Sequence, residues 1–285
     1  MLSKLNSVLP TLIISFSGGR TSGYMSKWCL DNLSDKYKLI FIFMNTGAED
    51  QRTLDFVNKC DIEFGLNLIW LEADIKHNER VGTKYKAVDF ETASRECEPF
   101  YEMVKKYGIP NKSYPHCNRE LKLAPFEAWM KDHAPGAYRA IGIRCDEIDR
   151  MVMDMDKKKI IYPLIKLNPM RKGDILGWWS RQSFDLDLPE HYGNCVTCWK
   201  KSDRKLLTLA HSDPTMFKHF DDMEIIARDS GSNAENNKGN FFRGNKSTRE
   251  LVGESLLEFN KFQDKYYETH SDQSNGCSDS CDLFS

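Results

Sequence analysis

The sequence predicts an α/β protein, a parallel sheet with flanking helices followed by a cysteine-containing segment and a flexible C-terminal tail. Three observations predict it. Short apolar, β-rich runs recur in the N-terminal part, stretches with apolar residues at helical spacing separate them, and the runs close on glycine or small polar residues. Thr11 to Ser17 reads as a strand buried on both faces and ends in Gly18-Gly19. A helix follows from about Ser22 to Leu33. Lys38 to Met44 is a second buried strand, closed by Asn45-Thr46-Gly47. Thr53 to Phe64 carries Leu54, Val57 and Ile62 at helical spacing, and Leu66 to Leu71 is the third strand. Strand, helix, strand, helix, strand is the order of a parallel sheet with right-handed crossovers.

Residues 74–115 are more polar, with one helix expected from about Phe90 to Lys106. Leu123 to Asp132 reads as helix, Tyr138 to Ile143 and Ile160 to Tyr162 as short strands, and Asp174 to Ser183 as helix. Arg228 to Lys246 is rich in Asn, Gly and Ser and is expected to be a mobile loop. The capping box Ser247-x-x-Glu250 opens a last helix running to about Phe262. The chain therefore divides into a nucleotide-binding domain with a cysteine site over residues 1–215 and a loop, helix and cysteine-containing tail over 216–285.

A chain of 285 residues can bury a sizeable core. Forty basic against forty-two acidic residues leave a net charge of −2, so no global field draws it to nucleic acid or an anionic membrane, although a local basic patch stays open. With 40% apolar and 29% charged residues it is not a disordered chain. Its apolar runs, such as Leu39 to Met44, are too short to span a bilayer, and Pro10 breaks the one stretch that resembles a signal-peptide core. Nine cysteines without an export signal point to a reducing, cytoplasmic compartment, where cysteine spacing suggests metals or redox chemistry before disulfides.

Ser17-Gly18-Gly19-Arg20-Thr21-Ser22 sits between the first strand and the first helix. A helix N-terminus at the carboxyl end of a strand offers free N–H groups and the positive end of a dipole. Paired glycines let the backbone approach phosphate oxygens, and the Ser17 and Ser22 hydroxyls add donors. A tight strand–helix turn without a ligand would use the same glycines.

SFSGGRTS resembles the SGGxDS loop of the PP-loop, adenine nucleotide α-hydrolase-like superfamily, and specifically its phosphoadenosine phosphosulfate (PAPS) reductase-like branch. Further pieces follow in that family's order. Phe43 to Glu49 resembles its second-strand segment ending in a Thr-Gly turn. His116-Cys117 with Lys122 and Pro125 is similar to its Cys-Cys/Lys/Pro segment. Gly142-Ile143-Arg144-x-Asp146-Glu147-x-x-Arg150 is similar to its Gly-x-Arg segment, and Ile161 to Leu164 to its Pro-Leu strand. The resemblance covers roughly residues 11–205 and implies a Rossmann-like PP-loop fold, an adenine nucleotide (PAPS, APS or ATP), and an adenosine pocket near Asn45, Thr46 and Gly47. It makes Arg144 and Arg150 clamps for phosphate or sulfate, a task suited to a guanidinium fork; surface salt bridges to Asp146, Glu147 or Asp149 are their bland alternative. Thr21 stands where the superfamily usually has Asp, which sets this chain apart from ordinary ATP pyrophosphatases.

Cys195-Val-Thr-Cys198 is a C-x-x-C, a half-site for zinc or iron–sulfur, a redox pair, or two packed thiols. Related reductases combine a Cys-Cys pair with a distant C-x-x-C to hold a [4Fe–4S] cluster; here His116 replaces the first cysteine. The resemblance implies a metal site of Cys117, Cys195 and Cys198, with His116 or an outside ligand in fourth place. Zinc suits Cys3His equally well. Lys122, one residue further from Cys117 than the family lysine, is a sulfate or cluster contact by the same resemblance. Cys29, Cys60, Cys97 and Cys145 read as buried small hydrophobes, and Trp178-Trp179 and Phe241-Phe242 as core. The run Lys200, Lys201, Arg204, Lys205 is either a polyanion contact or a solvated helix face.

In the tail, Cys277 and Cys281 lie in a segment without apolar periodicity. A thiol there occupies the position, though not the sequence, of the nucleophile in related reductases; extra metal ligands, a local disulfide or an inert end are the alternatives. Three functions compete: sulfonucleotide (PAPS or APS) reduction to sulfite with a thioredoxin-like reductant, ATP-dependent sulfur transfer to a nucleic acid, and a non-catalytic nucleotide-binding module.

Overall fold

In the computed structural model the described residues are 9–77, 80–111, 115–229 and 239–263. Six strands form one sheet: β1 (Thr11–Phe16), β2 (Lys38–Asn45), β3 (Ile69–Asp74), β4 (Lys84–Val88), β5 (Tyr138–Ala140) and β6 (Ile160–Ile161). Their order is β4-β3-β2-β1-β5-β6, parallel throughout except for β4, which pairs antiparallel with β3. The α/β class read from the sequence is therefore correct. β1 shows why it was legible. Leu12, Ile14 and Phe16 face a core shared with α1 (Arg20–Leu33) and α2 (Gln51–Phe64), while Ile13 faces the opposite core. All four are at most 1% exposed, so the alternation typical of a half-solvated strand is absent.

The chain order runs outward from β1 to β2 and β3 on one side and to β5 and β6 on the other. The gap between β1 and β5 is thus the topological switch point of the sheet, where ligands of open α/β folds bind at the carboxyl edge. The Gly18-Gly19 loop leaves β1 at this point.

The second core lies beyond that edge. It joins α3 (Glu98–Tyr107) to α8 (Asp203–Ser212), α9 (Lys218–Asp229) and α10 (Thr248–Glu254) through Phe100, Met103, Leu206, Phe220, Phe241 and Leu251. Residues on both sides of position 215 share it. A helical stretch of α4 (His116–Asn118), a π turn (Arg119–Leu123) and α5 (Ala124–His133) gives Leu121 to this second core and Phe126 and Trp129 to the core that Ile13 faces. Short α6 (Pro163–Lys166) and α7 (Lys172–Trp179) complete the set.

Several expectations are corrected here. The helix expected from Phe90 begins only at Glu98: Asp89 and Thr92 close a turn on each other, and Cys97 adopts the left-handed conformation as N-cap with Pro99 just inside. The last helix keeps its capping box, with Ser247 Oγ accepting from Glu250 N–H, but stops at Glu254. Residues 256–263 then run back along α8, where Phe262 N–H donates to Thr208 Oγ1 and its ring lies beside His191. Of the loop expected from Arg228, Arg228 and Asp229 belong to α9 and residues 239–246 are held in place. Glu224, fully buried, accepts the backbone N–H groups of Phe241 and Thr248 and so ties 239–248 to α9. Burial pushes the Glu224 carboxyl up, and those donors oppose it. Residues 230–238 and the tail from 264 lie outside the described residues.

Candidate nucleotide and thiol site

The loop after β1 has glycines with different tasks. Gly18 sits at φ +82°, and a Cβ there would stand 2.7 Å from Thr53 Cγ2 on α2. Only glycine serves. Gly19 is extended (φ −101°) and N-caps α1 with no side-chain cap, which leaves the first-turn amides to another acceptor. The serines act as braces. Ser22 Oγ donates to Gly19 O at 3.0 Å and accepts from Ser17 N–H at 3.1 Å, and the two hydroxyls meet at 3.0 Å.

The arginines and Thr21 have internal partners. Arg20 pairs with Asp185 at 2.7 Å and donates to Leu186 O, and Trp179 Nε1 donates to Arg20 O, so the 179–186 segment is fastened to the start of α1. Arg144, 4% exposed, donates to Thr21 Oγ1 at 3.1 Å and pairs with Asp146 at 3.0 Å and Glu147 at 3.5 Å. Arg150 pairs with Glu147 at 2.7 Å. Arg144 thus lies at the loop, with its charge already opposed by carboxylates.

The turn after β2 is built from buried polar groups. Asn45 Nδ2 donates to Glu72 Oε1 (2.7 Å) and Ser94 O (2.8 Å), and its Oδ1 accepts from Gly47 N–H. Glu72 is fully buried at the end of β3 and also accepts the Ser94 N–H and an ion pair from Lys86 at 2.9 Å. Sequence reading missed Glu72; the signal was a carboxylate directly after the apolar run Leu66 to Leu71, where the strand continues. Gly47 (φ +75°) lies against the Cys97 backbone, whose N–H donates to Gly47 O.

Next to this turn lies a cavity lined by Cys117, Cys195 and Cys198 together with Thr46, Lys122 and Lys200, with walls of Phe100, Leu121, Trp199 and Phe220. Cys117 and Lys122 enter on the helical stretch where it becomes a π turn. Bonds from i to i+5 bring positions five apart, such as Cys117 and Lys122, toward one face. The C-x-x-C loop is attached to the sheet edge by an isolated bridge between Glu49 and Cys195 and by Val196 N–H donating to Ala48 O at 2.9 Å. Lys201, 3% exposed, donates to His191 O (2.6 Å) and Val196 O (2.7 Å) and closes the loop from the other side. Glu190, at the loop's start, lies between Lys205 (2.6 Å) and Lys172 (2.8 Å). Burial alone would push its carboxyl up; the two ammonium groups outweigh that and bring it down to about 2.

The basic run is thereby absorbed by the fold. Lys201 and Lys205 hold the loop, Lys200 lines the cavity, and Arg204 donates to the carbonyls of Asn260 and Lys261. His116 is not among the cavity-lining residues; its Nε2 pairs with Gly108 O at 3.0 Å. Among the described residues no three His, Cys, Asp or Glu side chains are close enough to hold a single metal ion. Cys29, Cys60 and Cys97 are buried, and burial pushes their thiols up, Cys29 to about 12. Cys145 is only partly buried and donates to Met170 O. Trp179, Phe241 and Phe242 are core residues.

Over 283 residues, 95% of this chain and 94% of the relative, it is 33% identical to the uncharacterized nin region protein ORF290 of Escherichia phage lambda. The chain belongs to the family of that nin region protein. The matched 283 residues are long enough to include both the sheet and the second core. Shorter matches reach the uncharacterized proteins MJ0973 (31% over 119 residues, 42% of this chain and 22% of that protein) and MJ0066 (26% over 122 residues, 43% and 20%) of Methanocaldococcus jannaschii. No protein-family profile matches the chain, and no solved structure does. Among the described residues no helix is long and apolar enough to cross a membrane. Cys277 and Cys281 lie outside the described residues.

Proposed function

We propose that this chain binds an adenine nucleotide across the carboxyl edge of its sheet and reduces a sulfonucleotide, PAPS or APS, to sulfite in a reducing, cytoplasmic setting. One observation supports this reading most. The C-x-x-C loop is backbone-paired with the turn after β2, so a thiol-lined cavity adjoins the edge that also carries the glycine loop. The α1 amides after Gly19 would receive phosphate oxygens, and Lys122 would contact the sulfate. A thiolate, for which Cys277 and Cys281 are the candidates, attacks the sulfonate sulfur; an S–S bond forms as the S–O bond to phosphate breaks, and the nucleoside phosphate leaves. A thiol of a thioredoxin-like dithiol then attacks the cysteine sulfur, and sulfite departs with the S–S bonding pair. The reductant's second thiol closes its disulfide and restores the cysteine, so two electrons pass from dithiol to sulfur.

Three soft sulfur donors line the cavity, the donor type of a [4Fe–4S] cluster whose fourth ligand would come from outside; His116, absent from that lining, does not favour the Cys3His zinc alternative. Bound there, a cluster would supply a polarising contact beside the sulfur. The same three-thiol lining would also suit a second reading, ATP-dependent sulfur transfer to a nucleic acid. Incubation with PAPS or APS and thioredoxin tests the first: sulfite should appear in equal amount to the nucleoside phosphate. Pyrophosphate formed from ATP only with a nucleic-acid acceptor would transfer support to the second. Nucleotide bound without either product would leave a binding module.

A further inference from the structure

The thiol loop is held from two sides. The sheet edge holds one side, through the Glu49–Cys195 bridge and the Val196 N–H to Ala48 O bond. On the other, the Lys201 ammonium donates to two carbonyls at once, His191 O before the loop and Val196 O inside it. His191 is thus a point through which groups behind the loop can act on it. It is buried, and its ring lies 5.4 Å from that of Phe262. Phe262 stands near the end of a strap. After α10, residues 256–263 follow α8 without forming helix or strand, and α8 side chains hold them. His211 Nδ1 bonds Ser255 O at 2.9 Å, Arg204 donates to Asn260 O at 3.2 Å and Lys261 O at 2.9 Å, and the buried Thr208 Oγ1 accepts Phe262 N–H at 2.8 Å. The Phe262 ring faces Lys205 Nζ at 4.8 Å and the Arg204 guanidinium at 5.7 Å. Lys205 also pairs with Glu190, so the ring, His191 and this ion pair meet at the loop's start. Little apolar surface secures the strap: Leu256 and Leu257 are 78% and 68% exposed, and Phe259 and Phe262 are half-buried. A segment held by side-chain bonds and two rings opens locally more readily than a core helix.

We infer that Phe262 is a positioning residue, the latch of a strap that braces the thiol loop from behind and so sets how readily the loop opens. With the strap closed, a ring backs His191 while Lys201 holds its carbonyl together with that of Val196. With the strap open, His191 loses that backing and the loop opens more often. The inference needs neither nucleotide nor cluster, so it stands or falls apart from the proposed chemistry. The test compares the full chain with Phe262→Ala, Phe262→Tyr and Thr208→Val, by amide hydrogen exchange and by alkylation of individual thiols under anaerobic conditions. Phe262→Ala should raise exchange of residues 194–198 and alkylation of Cys195 and Cys198 by about five-fold, roughly the factor carried by one ring–cation contact. Cys117, on the helical stretch, and Cys145, outside the cavity, should react as before. Phe262→Tyr keeps the ring and should restore the wild-type rates. Thr208→Val removes the acceptor of the Phe262 N–H and leaves ring and loop untouched, so it should shift the same rates in the same direction by a smaller factor. It also keeps the test open should Phe262→Ala fail to fold. Unchanged exchange of the loop in these variants would mean that the strap merely rests on α8, and would overturn the latch. Equal acceleration at all four thiols would mean a general loosening of the fold, and would overturn it as well.

Discussion

The glycine loop and the thiol cavity lie at the same sheet edge and are built on opposite plans. At the loop the conspicuous side chains face inward. Arg20 holds Asp185, Arg144 holds Thr21, Asp146 and Glu147, and Arg150 holds Glu147. What remains for an anion is backbone: the uncapped amides after Gly19 at the start of α1. At the cavity the backbone is occupied by Ala48, Val196 and the Lys201 carbonyl contacts, and side chains line the space. A motif's residues can therefore be functional by their side chains in one half and by their shape in the other.

Four substitutions sharpen this contrast, in falling order of effect. Gly18→Val combines a left-handed backbone with a 2.7 Å approach to Thr53 and should cost about 4 kcal/mol or prevent folding, read by denaturant titration. Glu190→Gln should cost on the order of 2 kcal/mol at neutral pH. Because the folded carboxyl is depressed from 4.5 to about 2, this contribution is present above pH 4.5 and fades as pH falls toward 2. The wild type and the glutamine variant should then converge in stability at the acid end of a melting series. Gly19→Val, on an extended backbone, should keep stability within about 1 kcal/mol yet weaken nucleotide binding ten-fold or more, because a Cβ there shields the amides. Unchanged calorimetric affinity would remove the loop from the site. Arg150→Gln should change affinity by less than about three-fold, since Glu147 already neutralises that guanidinium.

Legibility followed the same divide. Buried parallel strands announce themselves by unbroken apolar runs, and the Ser-Gly-Gly loop by its place between strand and helix. β4 did not, because this edge strand, Lys84 to Val88, contains no fully buried residue. The place of Cys117 and the C-x-x-C in one cavity was legible only through resemblance, since the chain brings them together through the second core. α8 and α9 were missed even though Leu206, Leu209 and Ala210 stand at helical spacing; the basic residues before them drew the reading to charge. No sequence rule would have linked Arg20 to Asp185, a partner far along the chain that only the folded aromatic cluster around Trp179 brings near.

Whether the two halves form one site is answered most directly by the thiols themselves. Alkylation rates of Cys117, Cys195 and Cys198, followed separately by peptide mass spectrometry with and without saturating APS under anaerobic conditions, report on the cavity from inside. The nucleotide should slow all three together by at least about five-fold while Cys145, partly buried outside the cavity, reacts as before. Bound APS that leaves the three rates unchanged would mean that nucleotide edge and thiol cavity work apart, and would contradict the account.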